Sequence, residues 1–447
     1  MTRTRENNSD ASRRAADHAG SGTTCTTSSI KTYGEVFPNL LIEAVVDLEH
    51  PHLLRLQTSN GRPSKTVARF SRQGRTYIAG PVCDGLARAV RFPTCSRPFG
   101  SVASLVSSMR EVLSRYANPS TDVDSVLTTF SLASWVADCL PVAPILYLVG
   151  PAREVSLLLR LLGCTCRRPL LLGDVDIAAL ATLPAQLGAT LLVNQRGLSR
   201  GIARVLQASC NRHFRVARGK RDLDLYGAKA FSADAGSTAG PGIEVCISPS
   251  PQPRPLLTEA AEAEIAADLQ PRLLRYRMAY HRRVRNATVD CEKFLPMPCE
   301  EVHAWLAPLC DCPDLRDTIS NYLLEVSQDV AGRRFTDLRC LVAEGALSFC
   351  HEPDRREFFI RELAERVRAL LKGRHEENEL TDRRAGSILR DLGIRAQRVT
   401  AGYKVVLTDG IRERIHSVAR SYQALSLQDG VVRCRHCPGG NAKESVH

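Results

Sequence analysis

Five short apolar runs recur across the middle of the chain: Ile145–Val149, Pro169–Leu172, Ala189–Val193, Ala228–Ser232 and Ile243–Ile247. Each has the length of a buried strand. Between them lie segments with helical spacing, Ser156–Leu162, Asp176–Leu183 and the basic Leu198–Ala208. Strands separated by helices predict an α/β layer built on a mainly parallel sheet. Upstream, Leu40–Val46, His52–Gln57 and Thr66–Phe70 read as strands, with Ser59-Asn60-Gly61 as a hairpin turn. Ser101–Tyr116 and Val123–Ala137 then read as helices.

Past the Pro-rich linker Pro249–Pro255 the pattern becomes helical, over Glu259–Tyr280, Cys299–Leu309, Leu315–Asp329, Asp337–Phe349 and Glu357–Leu371. Near the end, a helix from Thr381 to Leu392, two β-prone runs (Arg395–Thr400, Tyr403–Leu407) and a helix Ile411–Tyr422 suggest a winged-helix-like unit. The expected organisation is a disordered tail (1–30), a small β-plus-helix region (31–124) and an α/β domain (125–255). A helical domain (256–375), the winged-helix-like domain (376–425) and a flexible tail (426–447) complete it.

The run Ile145–Val149 stops at Gly150-Pro151, and a leucine-rich helix follows that is expected to close at Gly163. Strand, glycine turn and helix is the frame of a phosphate-binding loop. The working loop adds a second Gly, a Lys and a hydroxyl, but counted from Gly150 those positions hold Val155, Ser156 and Leu157. The later strand Ala189–Val193 should end in carboxylates that hold Mg²⁺. It ends in Asn194-Gln195, the amide counterparts of those acids. Gly150, Arg153, Ser156, Asn194 and Gln195 thus form a candidate degenerate nucleotide site.

Within residues 125–255 stand ASWVADCLPVAPILYLVGP (Ala133–Pro151), LLRLLGCTCRRPLLLGDV (Leu158–Val175), LPAQLGATLLVNQ (Leu183–Gln195) and LDLYGAKAF (Leu223–Phe231). On these stretches the region resembles the NTPase domain of helicase- or primase-associated proteins carried by phages, plasmids and other mobile elements. LTDRRAGSILRDLGIRAQRVTAGYKV (Leu380–Val405) is similar to the small C-terminal domain of the same uncharacterised bacterial family. It implies a RecA/AAA-like, P-loop-type core that in intact relatives hydrolyses ATP to act on DNA. By position, Gly150 and Ser156 match the phosphate loop, Asn194-Gln195 the Walker-B acids, and Lys229 lies near a sensor-like strand. With those charges missing, ATP and Mg²⁺ are not expected cofactors and turnover is not expected.

Net charge of +12 points to a polyanion partner, most simply nucleic acid. From Arg196 to Arg221 there are eight basic residues and no acid: Arg196, Arg200, Arg204, Arg212, Arg215, Arg218, Lys220 and Arg221. Arg196, Arg200 and Arg204 are spaced to share one helical face, a phosphate-contacting stripe. A second run, Arg272–Arg285, holds six arginines interleaved with Tyr276, Tyr280 and His281. It reads as an amphipathic helix that buries Leu273, Leu274, Met278 and Tyr280 and exposes its arginines; stacking on single strands is the alternative. Arg383, Arg384, Arg390, Arg395 and Arg398 add charge to the winged-helix-like unit.

No apolar run approaches a membrane span, and the N-terminus has no apolar signal core. A cytoplasmic chain with no membrane partner is expected, and its sixteen cysteines are expected as free thiols. Cys434-Arg-His436-Cys437, Cys310-Asp-Cys312 and Cys350-His351 offer metal-ligand types but no paired knuckles, so no metal is expected. The functional expectation is a catalytically degenerate NTPase relative that binds nucleic acid, as a homo-oligomer or beside a helicase or primase. An active DNA-dependent ATPase and a purely structural or transcriptional DNA-binding module are the alternatives.

Overall fold

The structure is a computed structural model that describes residues 29–50, 53–59, 65–82, 85–184, 187–214, 216–218, 221–234, 242–249, 252–334, 337–374, 380–422 and 436–437. The N-terminal tail up to residue 28, the turn residues Asn60 and Gly61, Arg215, Lys220, Cys434 and most of the C-terminal tail lie outside the described residues. So do the side chains of Arg200, Arg218 and Arg221.

The chain opens with β-strands. β1 (Ser29–Thr32), β7 (Arg75–Ala79) and β6 (Arg69–Arg72) form one small sheet. β2 (Gly34–Phe37), β3 (Leu40–Val46), β4 (Leu54–Ser59) and β5 (Lys65–Val67) form an antiparallel one. Two helices follow, α1 (Val102–Tyr116), capped by the Ser101 hydroxyl, and α2 (Thr121–Val136).

The α/β layer comes next: β8 (Ile145–Val149), α3 (Ala152–Thr165), β9 (Pro169–Leu172), α4 (Ile177–Leu180), β10 (Thr190–Val193) and α5 (Arg200–Ala208). A short hairpin, β11 (Val216–Arg218) and β12 (Arg221–Leu223), precedes β13 (Lys229–Ala233) and β14 (Ile243–Cys246). The five long-range strands lie in the order β14-β8-β13-β10-β9, all parallel. Both faces are covered, which explains why the strands read as unbroken apolar runs. Leu146 and Leu148 of β8 join α3, α2 and the next long helix in one core, while Ile145 and Tyr147 join Val205 and Leu206 of α5 in another.

α3 runs past the expected stop at Gly163. A Cβ there would come within 2.7 Å of Leu171, so this glycine lets the helix settle on β9 rather than ending it. The helix expected over Asp176–Leu183 shrinks to α4, held by the Asp176 cap.

α6 (Glu259–Arg285), α7 (Cys299–Leu306) and α8 (Pro313–Arg334) continue the first core. The expectation of free thiols fails at one place: Cys291 and Cys299, eight residues apart with Cα atoms 5.3 Å apart, are disulfide-bonded. Eleven other described cysteines form no disulfide with another described cysteine.

The last unit has its own core, from α9 (Leu338–His351) through β15 (Glu357–Phe359), α10 (Ile360–Gly373), α11 (Asp382–Asp391), β16 (Gln397–Val399) and β17 (Gly402–Val406) to α12 (Asp409–Ser421). Its three strands are antiparallel, ordered β15-β17-β16. The expected helix Glu357–Leu371 begins instead with β15. Phe358 is buried against Phe349, and the Glu362 carboxylate accepts from the Phe359 amide at 2.6 Å and starts α10 there. Among the described residues no helix is long and apolar enough to cross a membrane.

Candidate nucleic-acid interface

Ligands of open α/β sheets sit beyond the C-terminal ends of the strands, where connections leave to opposite faces. That point lies at the end of β8, since α3 packs on one face and α5 on the other. Only Gly150 and Pro151 separate β8 from α3. A turn this short is not the long glycine-rich loop with which a P-loop cradles phosphates. Gly150 has a packing role instead: a Cβ would lie 2.6 Å from the Ile247 carbonyl, and Ile247 donates its amide to Val149 at 2.7 Å. Arg153 is exposed in the first turn of α3, and Ser156 is half-buried in the second. The cavity beside this turn is about 180 Å³ and is lined by Glu154, Ser248 and Arg254. It is smaller than usual small-molecule pockets of about 300–1,000 Å³.

The same edge spends its polar groups on itself. The Gln195 amide oxygen accepts from the Val175 amide at 3.0 Å, tying the end of β10 to that of β9. Asn194 is exposed, with its backbone amide on the Leu172 carbonyl at 2.8 Å. Arg196 donates to the Gly150 carbonyl and lies 3.9 Å from Asp234. Lys229 does not join them. It is fully buried at the other end of its strand, where its ammonium donates to the carbonyls of Leu225 (2.9 Å) and Gly227 (2.8 Å).

The basic run is not one stripe. Gly197, at φ 67°, and the Ser199 cap place Arg196 outside α5, so it cannot share a helical face with Arg204. Arg204 is exposed on α5. The chain then crosses the sheet, and Asn211 bridges to Val142, just before β8. Arg212 therefore emerges at the N-terminal end, its guanidinium 5.8 Å from the Tyr226 ring.

That end holds a buried charge network. Glu43 sits in the middle of β3 and is almost fully buried. Its carboxylate accepts from Arg167 at 3.0 Å, from Arg277 at 2.9 Å and from Arg168. Arg277 also grips Asp138 with two nitrogens, at 2.5 and 2.7 Å, and donates to the Trp135 carbonyl at 2.7 Å. Burial alone would push the Glu43 carboxyl up, but the three arginines together hold it below its usual range. Asp138 is held well below its range in the same way: Arg277 outweighs the burial penalty. Asp138 precedes β8, and Arg167 and Arg168 precede β9, so the network lies under the N-terminal end of the sheet.

The network fixes α6, and α6 carries the second basic run. Of its six arginines three are committed. Arg277 is buried in the network, which corrects the expectation that this helix exposes all its arginines. Arg272 donates to Asp268 (3.1 Å) and Ser108 (2.9 Å), and Arg283 pairs with Asp311. Arg275, Arg282 and Arg285 lie on one helical face by their spacing. Their guanidinium groups have no hydrogen-bond or ion-pair partner among the described residues. They line a groove of about 540 Å³ between α6 and the β2–β3 hairpin, together with Phe37, Leu40 and Met278. No acid lines it. Val36 separates it from a second cavity, of about 420 Å³, where Arg212, Arg167 and Arg168 meet Glu35, Asp138 and Asp224.

No protein-family model matches the sequence, and no curated protein matches it. Solved structures align weakly. Two apo structures of the NrS-1 C-terminal region align over 82% of this chain and 96% of theirs, at TM-scores of 0.33 and 0.32 and identities of 9% and 10%. A structure of Drosophila ORC bound to DNA aligns over 74% of this chain and 95% of its own, at a TM-score of 0.19 and 11% identity. Scores this low do not define a shared fold.

Two groups central to this region escape a sequence reading. Glu43 was legible only as a lone acid inside the apolar run LLIEAVV, and Arg167-Arg168 as a pair just before a strand. In the last unit Arg383, Arg384, Arg390, Arg395 and Arg398 are all exposed, on α11, β16 and the turn between them.

Proposed function

We propose that the protein binds nucleic acid, single-stranded in the first instance, along the groove between α6 and the β2–β3 hairpin, and that it does so without hydrolysing ATP. The observation that carries this reading is the set of Arg275, Arg282 and Arg285: three cations on one wall of a groove, with no partner and no lining acid among the described residues. Phosphates suit those arginines, and Phe37, Leu40 and Met278 offer apolar contact to bases. The turn of Gly150 and Pro151, the engagement of Arg196 with the Gly150 carbonyl and the neutral Asn194-Gln195 pair support a RecA/AAA-like core kept as a scaffold. The helices and three-stranded antiparallel sheet of residues 338–422 support the winged-helix reading, with exposed arginines for a second backbone contact. The resemblance of residues 125–255 supports a place beside a helicase or primase of a mobile element.

The test is a fluorescence-anisotropy titration of a labelled single-stranded oligonucleotide across a salt series. Replacing Arg275, Arg282 and Arg285 by Ala should make the slope of log K against log salt less steep by about 2, from about 0.7 per phosphate contact on single strands. Binding that ignores salt, or a triple variant identical to the parent, overturns the groove. ATP turnover in the presence of the oligonucleotide overturns the second half of the proposal.

A further inference from the structure

We infer that the last unit contains a metal site, formed by His351, His416 and Cys437 and suited to Zn²⁺. The three come from separate parts of the chain. His351 is the last residue of α9, His416 lies in α12, and Cys437 belongs to the tail segment, 86 residues from His351. Their ligand atoms all lie within 4.8 Å of one another. His351 Nε2 is 3.3 Å from His416 Nε2 and 3.3 Å from Cys437 Sγ. Tetrahedral zinc, with bonds of about 2.0–2.1 Å to nitrogen and about 2.3 Å to sulfur, places two nitrogens about 3.3 Å apart and nitrogen and sulfur about 3.6 Å apart.

The tautomer of His416 suits metal ligation. His416 Nδ1 lies 2.7 Å from the Arg412 carbonyl, which can only accept, so the Nδ1 proton points there. In the neutral ring Nε2 is then a lone pair aimed at His351. A single Nε2 proton on His351 serves either His416 or the thiol, not both. One metal ion accepts all three lone pairs, and a backbone carbonyl that fixes the far nitrogen is the usual support for a zinc-bound histidine. The frame is firm: His416 is fully buried, Cys437 nearly so, and the Arg412 guanidinium ties α12 to the end of α9 through the Cys350 carbonyl at 2.7 Å. Two imidazoles and a thiolate favour zinc over the oxygen-seeking Mg²⁺ or Ca²⁺. The ion would clasp the tail onto α9 and α12, so its binding energy would become folding energy of this unit. In the sequence Cys434 stands in C-x₂-C spacing with Cys437, and it lies outside the described residues.

The experiment uses the full chain, purified without chelator from zinc-supplemented medium. Elemental analysis should find about one zinc per chain, the stoichiometry of a single site. Chelation should lower the thermal midpoint, and Co²⁺ should give the visible bands of a thiolate-ligated tetrahedral ion. Cys437→Ser and His351→Gln are the variants of choice, because neither residue fills the centre of a core. Each should lose the zinc and the chelator effect while keeping the parent circular dichroism. Only trace zinc with no Co²⁺ bands overturns the site, as does full zinc retention in the Cys437→Ser, His351→Gln double variant.

Discussion

The two ends of the parallel sheet use their charges in different ways. At the C-terminal edge, Arg196 bends onto the Gly150 carbonyl and Gln195 caps Val175. At the N-terminal end, Glu43 and Asp138 hold Arg167, Arg168 and Arg277 in a buried network. That anchored helix turns Arg275, Arg282 and Arg285 outward without partners among the described residues. One edge closes on itself, while the other invests buried pairs in holding free cations in place. At the end where α/β sheets usually bind ligands, Gln195 and Arg196 are bonded to the sheet's own backbone.

The comparison can be broken most severely at Glu43. Glu43→Gln leaves three buried arginines facing a neutral amide, and breaking a buried pair costs about 3–5 kcal/mol. Urea unfolding should show a loss of that size; a loss below about 1 kcal/mol would mean that the network does not anchor α6. The groove arginines come next. The triple alanine variant should flatten the salt dependence of DNA binding, whereas Arg153→Ala and Arg196→Ala at the closed edge should leave the slope unchanged in the same anisotropy assay. An equal effect at both edges would erase the distinction.

Gly150→Ala tests whether the closed edge is packing. The new Cβ meets the Ile247 carbonyl at 2.6 Å, so overpacking should cost about 1–3 kcal/mol in a thermal or urea melt. Titration sharpens the contrast further. Glu43 and Asp138 both have folded pKa values below their ordinary 4.5 and 3.8. The unfolded chain therefore binds more protons through that range, and stability from the network is full above it and falls as pH drops through it. Acid unfolding should begin at higher pH in Glu43→Gln, which starts from a smaller reserve. The smallest effect belongs to Arg196→Ala. Its ion pair is long and its partner Asp234 is mostly exposed, so the stability change should stay within about 0.5 kcal/mol in the same melt.

Much of the fold was legible along the chain. The runs at Ile145, Pro169, Ala189 and Ile243 became β8, β9, β10 and β14 because strands buried on both faces must be apolar throughout. The Ser101 and Thr381 caps marked true helix starts. Local patterns misled where a residue had two readings. Gly163 looks like a helix stop but serves a close approach to Leu171, and Glu357–Phe359 keeps helical spacing yet pairs with β17.

The sequence by itself determined the order of strands and helices, the excess of positive charge, and the neutral residues Ser156, Asn194 and Gln195 after the first and third strands of the sheet. Those properties depend on residue identity and near-neighbour spacing. Only the tertiary structure decided which arginines are structural and which have no partner among the described residues. Arg275 and Arg277 stand two positions apart on α6. Arg277 meets Glu43 across 234 residues and Asp138 across 139, while Arg275 meets a groove. Pairing and desolvation act over ångströms in space, and no local pattern records which distant acid will arrive there.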